Sequence, residues 1–313
     1  MIVTVVPNPA LDKTVVLPDF KLGNIHRAGE VIIQAGGKGF NVARALRTLG
    51  VQGLVIGPAG GYAGKHLLAL ARQEGLEIDM QEVNAELRTC LTIVDPAADY
   101  QLTEIYEQGA SLSRAEWEAV VHRVASALPR ATSLVISGSF PPGVPEDALL
   151  MLLQQARTAS VPVLLDTHGA QLRAALAYRP ALLKLNQFEA GELLGYPLTD
   201  PFQAVVGTAE LQRRGAQEVI ISLGKTGVVG CTAEGQRFGW IAPTVSALSS
   251  TGSGDCLLAG IAAGLIRGQG LIQSARLGVA AGAANTLQIG AGLLNLDDIE
   301  TLLPGIQVLS LTS

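Results

Sequence analysis

Charge is scarce in this sequence. Asp, Glu, Lys and Arg make up 16% of its 313 residues against 48% apolar residues, a balance that suits a buried parallel sheet covered by helices on both faces. There is no basic block and no interleaved aromatic stripe, and the formal net charge is −5. Those absences argue against a nucleic-acid partner and for a small anionic ligand held by local basic residues. Cysteine is limited to Cys90, Cys231 and Cys256. The odd count, without a C-x-x-C, excludes a disulfide framework and points to a reduced, cytoplasmic compartment. His26, His66, His122 and His168 are scattered without metal-ligand spacing. The longest apolar run, Leu257 to Ile266, is too short to span a bilayer, so no membrane association is expected. The opening Met1–Val6 soon meets Pro7 and Pro9 and reads as a first strand, not a signal peptide.

What is present is alternation. Short apolar, β-branched runs at Ile2–Val6, Gly53–Gly57, Ser133–Ser137, Pro162–Asp166, Ala181–Leu185 and Val219–Leu223 read as strands buried on both faces. Helical patterns lie between them. Ser113-Arg114-Ala115-Glu116 is a capping box opening a helix through about Leu128, and Pro145 is placed as a first-turn proline. The alternation predicts a doubly wound α/β sheet with right-handed crossovers. Two excursions, Asp12–Gln34 and Arg88–Gln108, carry short alternating segments instead. They are expected to form antiparallel strands outside the main sheet, as a small lid. No linker or internal repeat marks a second domain, so residues 1–313 are read as one unit.

Two glycine-rich stretches carry the chemistry. In Ser250-Thr251-Gly252-Ser253-Gly254-Asp255, small residues let backbone N–H groups converge at the start of an apolar helix. Such a turn stabilises anionic oxygens, and a carboxylate there can accept a proton from an attacking hydroxyl. Taken alone, the motif is equally a flexible loop followed by a helix N-terminal acid. The second stretch is Gly36-Gly37-Lys38-Gly39-Phe40-Asn41, leading into Val42–Leu46. It lacks the Walker A spacing and does not follow the first strand as a Rossmann fingerprint would. Taken alone, it is equally a plain turn into an amphipathic helix.

Together, in this order and about 200 residues apart, the two stretches resemble the two patterns of the PfkB family in the ribokinase-like superfamily. The resemblance runs along essentially the whole chain and is strongest to the hexose-phosphate branch of 1-phosphofructokinases, tagatose-6-phosphate kinases and minor bacterial 6-phosphofructokinases. Asn8–Asp12, Leu87-Arg88-Thr89, Thr103-Glu104 with Gly109, Ser137–Gly143, Leu165-Asp166-Thr167, Lys184–Glu189, Ser222–Gly227 and Gly278–Leu287 carry it. It implies a ribokinase-like three-layer αβα sandwich with a β-strand lid, and ATP-dependent, Mg2+-assisted phosphorylation of a sugar phosphate. Fructose 1-phosphate is the first choice; tagatose 6-phosphate and fructose 6-phosphate are the alternatives.

The same resemblance assigns roles. Asp255 is the general base, and Gly252, Ser253 and Gly254 form the anion hole. Asn186 and Glu189 match an N-x-x-E pattern that organises the magnesium–phosphate region, Glu189 acting through water. Ser222, Gly224, Gly227 and Asn285 line the nucleotide site. Asp12, Gly36, Gly37, Lys38, Asn41, Arg88 and Ser139 face the sugar phosphate. Each has a bland alternative: Glu189 as a solvated helix residue, Asn285 as a helix-packing amide, Arg88 as an ordinary surface cation, Asp12 as a strand terminator. Three positions depart from the family pattern: Ser253 replaces the usual alanine, Leu185 the usual proline, and His26 a common asparagine on the lid. Exposed lid strands suggest a homodimer formed through two lids. The rival readings are a catalytically silent sugar-phosphate sensor, which would require loss of base or anion hole, and a nicotinamide dehydrogenase, which would require the absent G-x-G-x-x-G.

Overall fold

A computed structural model describes residues 1–311. Its strands are β1 (Ile2–Val5), β2 (Ala10–Val16), β3 (Glu30–Gly36), β4 (Gly53–Gly60), β5 (Glu77–Val83), β6 (Thr89–Asp95), β7 (Gln101–Tyr106), β8 (Ser133–Ser137), β9 (Val163–Asp166), β10 (Leu182–Asn186), β11 (Glu218–Ser222), β12 (Gly227–Cys231), β13 (Arg237–Ile241) and β14 (Gln307–Val308). Ten of them form one sheet in the order β14-β13-β12-β11-β10-β9-β8-β1-β4-β5. Every pairing from β5 across to β11 is parallel. β12, β13 and β14 extend it antiparallel.

Alternate residues of the central strands enter different cores. Val3, Val5, Leu134, Ile136, Leu183 and Leu185 face one apolar cluster. Ile2, Val135, Leu164, Leu182 and Ile220 face another. This is why those runs are nearly all apolar, and it makes the three-layer αβα arrangement. The six expected strands are present. β5 and β12–β14 were not anticipated: β5 mixes acids with apolar residues, and β12 follows β11 after only a short turn.

The helix Arg114–Ala127 opens on Ser113 with both capping-box bonds formed. Pro145, by contrast, precedes its helix. That helix starts at Ala148, whose N–H bonds the Pro145 carbonyl in the turn before it. The long apolar helix Ser253–Ile266 is buried against Leu271–Thr286. A Cβ on Gly260 would lie 2.6 Å from the Gly278 Cα, so the two backbones nearly touch. No helix among the described residues is long and apolar enough to cross a membrane.

The two excursions build a separate four-stranded sheet in the order β3-β2-β6-β7. Its outer pairs are antiparallel, but β2 and β6 run parallel. The expectation of antiparallel strands throughout is corrected there. Two hairpins distant in sequence meet through the first strand of each, and the direction of that seam is a tertiary matter.

Candidate active site

The parallel strands deliver their ends to one edge of the sheet, where open α/β sheets hold ligands. Asn8 follows β1, Ser139 follows β8, Asp166 ends β9, Asn186 ends β10 and Ser222 ends β11. The two glycine-rich turns converge on this edge from the helices Lys38–Thr48 and Ser253–Ile266.

Gly252 is the N-cap of the second helix, with φ +82°, a conformation few side chains tolerate. A Cβ there would also lie 2.7 Å from the Gly292 nitrogen. Of the three expected anion-hole amides, that of Ser253 donates to the Ser250 carbonyl at 3.2 Å. The amides of Gly252 and Gly254 donate to no acceptor among the described residues. Two of the three amides are thus without an acceptor, and the Ser253 hydroxyl receives a bond from Asn285 Nδ2 at 3.3 Å.

Asp255 sits in the first turn, 5% exposed. Asn41 Nδ2 donates to its Oδ2 at 2.8 Å. Burial pushes the carboxyl up to about 6, with Asp166 acting in the same direction and Lys38, Lys184 and the Asn41 bond opposing. A carboxylate with that affinity is ionised at neutral pH yet basic enough to take a proton.

Beside it lies a charge relay across two strands. Lys38 Nζ is 3.1 Å from Asp166 Oδ1 and 3.5 Å from Glu189 Oε1. Lys184 Nζ is 2.7 Å from Asp166 Oδ2. Burial alone would raise Asp166, but the two ammonium groups outweigh it and hold the carboxyl down to about 2. Asp166 in turn holds Lys38 well above the usual lysine range. A Cβ on Gly254 would lie 3.1 Å from Lys184 Nζ, so this ammonium stands directly beneath the anion-hole turn. Lys184 and Asp166 were absent from the expected site residues. The available signal was a lysine inside an otherwise apolar strand and an acid closing another.

On the other flank, Asp12 Oδ2 accepts from the Gly37 N–H at 3.3 Å, and its carboxyl fills the space a Cβ on Gly36 would need. Burial raises Asp12 to about 6. Arg88 donates from Nη2 to the Asn8 carbonyl at 2.9 Å and from Nε to the Pro9 carbonyl at 3.4 Å. It thus clamps the turn between β1 and β2. Asn8 Nδ2 reaches the Ser139 hydroxyl at 3.3 Å. The register of the small sheet lines Gln34, Asp12, Cys90 and Tyr106 across one face, and Ile33, Lys13, Leu91 and Ile105 across the other. The Asp12 face lies over the site: Glu104 Oε1 accepts from the Thr251 hydroxyl at 3.3 Å, joining β7 to the anion-hole turn. His26 stays within its own loop, its ring 5.2 Å from Phe20.

Asn186 caps the helix Gln187–Leu194, accepting from the Phe188 and Glu189 amides, while Glu189 Oε2 accepts from the Asn186 N–H at 2.9 Å. The N-x-x-E pair is thus a formed capping box that leaves Glu189 facing Lys38. Asn186 is in register with Ser222, and the turn Gly224–Thr226 follows it. Gly227 has φ +116° and a Cβ there would meet the Trp240 carbonyl at 2.0 Å, so only glycine fits. Asn285 lies behind the anion-hole turn. It is fully buried, donates to the Thr251 carbonyl at 2.8 Å and accepts from the Gly292 N–H at 2.9 Å. It fastens the anion-hole turn to the helix behind.

Residues 8–298 match the model of the pfkB family carbohydrate kinases. The chain belongs to the PfkB family. It is a carbohydrate kinase, a phosphotransferase acting on a hydroxyl group. It is 37% identical to a 1-phosphofructokinase of Xanthomonas campestris pv. campestris over 84% of each chain. It is 31% identical to a 1-phosphofructokinase of Bacillus subtilis over 98% of this chain and 99% of that one. Among solved structures it is similar to the tetrameric inhibited form of phosphofructokinase-2 from Escherichia coli, with TM-score 0.89 at 31% identity, covering 97% and 98% of the two chains. An Arabidopsis thaliana ribokinase shares the fold, with TM-score 0.75 at 22% identity over 96% of this chain and 98% of that one. The PfkB fold accounts for both the large mixed sheet and the two glycine-rich turns that meet at its edge.

Proposed function

We propose that this PfkB kinase transfers the γ-phosphoryl group of ATP to a primary hydroxyl of fructose 1-phosphate, giving fructose 1,6-bisphosphate. The observation that carries the chemistry is a buried carboxylate, Asp255, one helical turn from two amides without acceptors, those of Gly252 and Gly254. In the step, Asp255 takes the hydroxyl proton and the sugar oxygen bonds to the γ-phosphorus. The bond from that phosphorus to the β–γ bridging oxygen breaks, and ADP leaves. The two amides and the Lys38 and Lys184 ammonium groups bear the charge that develops.

Asp12, Gly36, Gly37, Asn41, Arg88 and Ser139 are assigned to the sugar phosphate, and Asn186, Ser222, Gly224 and Gly227 to the nucleotide. Lys38, bonded toward Asp166 and Glu189, lies where the two substrates meet. Asn285 is assigned to the nucleotide side of the site, through the Thr251 carbonyl that it holds. No cluster of three metal-ligating side chains occurs among the described residues. Glu189, its Oε1 3.5 Å from Lys38 Nζ, is the carboxylate that would hold a magnesium ion through water, the ion keeping its other waters and the phosphate oxygens. Bound there, the ion would offset phosphate charge.

The choice of a phosphorylated ketohexose rests on Arg88 beside the β1–β2 turn and on the names of the relatives. Fructose 6-phosphate is kept as the second reading because of the likeness to phosphofructokinase-2. The apolar face of the small sheet leaves Val31, Ile33 and Ile105 exposed. Two such faces are proposed to pair in a homodimer, leaving the polar faces free to close as lids. Three free, buried cysteines are consistent with the cytoplasm.

The test is a comparison of kcat/KM with ATP for fructose 1-phosphate, fructose 6-phosphate, tagatose 6-phosphate and unphosphorylated fructose. Fructose 1-phosphate should lead. Preference for fructose would overturn the phosphohexose assignment, and absence of ATP consumption with every sugar would overturn the catalytic one.

A further inference from the structure

Arg44 has no part in the chemistry described so far, yet it is 7% exposed and spends all three guanidinium nitrogens on the surroundings of the site. Nε donates to Glu74 Oε2 at 2.8 Å. Nη2 donates to the Ala35 carbonyl at 2.6 Å, just before the Gly36-Gly37 turn, and pairs with Glu74. Nη1 donates to the Ala291 carbonyl at 2.8 Å and to Asn41 Oδ1 at 3.1 Å.

The last contact settles which way Asn41 points. A guanidinium has only donors, so the Asn41 atom facing it must be the carbonyl oxygen. The amide NH2 is then turned toward Asp255, where it donates to Oδ2. Reversed, Asn41 would set its own oxygen against the Asp255 carboxylate. The Ala291 contact reaches the anion hole as well. Gly252 lies against Ala291 and Gly292, and a Cβ on Gly292 would be 3.1 Å from Arg44 Nη1. One side chain therefore braces both the base and the turn that bears the amides.

We propose that Arg44 is a positioning residue for phosphoryl transfer: it locks the Asn41 amide so that its NH2 is presented to Asp255, and it seats the Ala291–Gly292 bed under Gly252. The proposal rests on the reading of Asp255 as general base. Asp255 is faced by Asn41 and Lys38 from the helix Lys38–Thr48, by Asp166 from β9 and by Lys184 from β10, with Cys256 beside it on its own helix. Of these, only Asn41 is held by Arg44. An effect of Arg44 on the protonation of Asp255 that survives retention of the positive charge and is absent in the Asn41→Ala background runs through Asn41. A merely structural Arg44–Glu74 ion pair would alter stability and leave the pH profile in place.

The experiment measures kcat for the full-length protein with ATP and fructose 1-phosphate across pH, in Arg44→Lys, Asn41→Ala and the double variant. Lysine keeps the charge but cannot span the four acceptors. Arg44→Lys should move the acid limb of kcat upward by about one pH unit, the value of one lost hydrogen bond to a charged group. KM for ATP should stay near wild type. Asn41→Ala should move the limb similarly, and the double variant no further than Asn41→Ala alone. An acid limb that stays at its wild-type position in Arg44→Lys, or a shift that adds in full to that of Asn41→Ala, overturns the proposal. If Arg44→Lys does not fold, Glu74→Gln loosens the same guanidinium from its far side, and its limb shift and loss of that shift in Asn41→Ala decide instead. Asp255→Asn separates the levels. An inactive Asp255→Asn with an unmoved Arg44→Lys limb overturns this proposal only, whereas normal turnover in Asp255→Asn overturns the assignment of the base and this inference with it.

Discussion

Asp166, at the end of β9, and Lys184, inside β10, form a 2.7 Å ion pair that is almost wholly withdrawn from water. Asp166 also holds Lys38, so one carboxylate compensates two ammonium groups at the point where the strands end. Removing one member of a buried pair leaves the others uncompensated. Asp166→Asn is therefore expected to destabilise the protein by about 3 kcal/mol at neutral pH. The folded carboxyl lies near 2 against 3.8 for the free group. A depressed value stabilises above the unfolded one, so the gap between wild type and variant should hold above about pH 4 and shrink as pH falls toward 2. Urea unfolding at several pH values checks this. A gap independent of pH would show that the pair is not the cause.

Asp255 behaves in the opposite sense. Its folded value near 6 lies above the free value of 3.8, so stability is lost as pH rises from about 4 to about 6, and the full cost persists above that. Asp255→Asn should lower kcat by about 10²–10⁴-fold or more, the range of a positioned general base. It should also be more stable than wild type at pH 8, by on the order of 2–3 kcal/mol, with the advantage vanishing near pH 4. The wild-type kcat should rise with pH through about 6. Steady-state kinetics and thermal unfolding test the two halves independently.

Arg88 joins two functions in one side chain. Its bonds to the Asn8 and Pro9 carbonyls use Nε and Nη2, and Nη1 donates to nothing among the described residues. Arg88→Ala should weaken binding of the sugar phosphate by about 1.5–3 kcal/mol, read mainly as a raised KM, with KM for ATP near wild type. Arg88→Lys should recover only part. Unphosphorylated fructose, a poor substrate of wild type, should lose little further. Equal loss on both sugars would mean that Arg88 acts only by holding the β1–β2 turn.

The small sheet should behave as a closing element. Among the described residues its one side-chain hydrogen bond to the anion-hole turn is Thr251–Glu104, and β7 is exposed along most of its length. Amides of β2, β3, β6 and β7 should exchange quickly in the free protein and gain protection when sugar phosphate binds. Hydrogen exchange followed by peptide mass would reveal this. Protection confined to Gly252–Ile266 would leave neither lid nor lid-mediated dimer with support.

Much of this molecule was legible in its sequence. Uninterrupted apolar runs identify Leu134–Ile136 and Val219–Ile221 as parts of strands buried on both faces, because only such strands lack a polar side. Ser113 with Glu116 marks a helix start by local bonds alone. The glycines at 36, 37, 252 and 254 announce turns where backbone must come close to something, and the family likeness says to what. Tertiary structure alone decided the rest, and the reason is common to each case. Whether β2 meets β6 parallel, which carbonyl Asn285 reaches, and whether the Ser253 amide is free or bonded to Ser250 depend on partners far away in the chain or on the exact set of a turn. The charges show this most clearly. Lys184 in an apolar strand and Asp166 at a strand end are visible as oddities, but only the parallel register of β9 and β10 puts their charges 2.7 Å apart. Burial at that edge then sets one acid near 2 and another near 6.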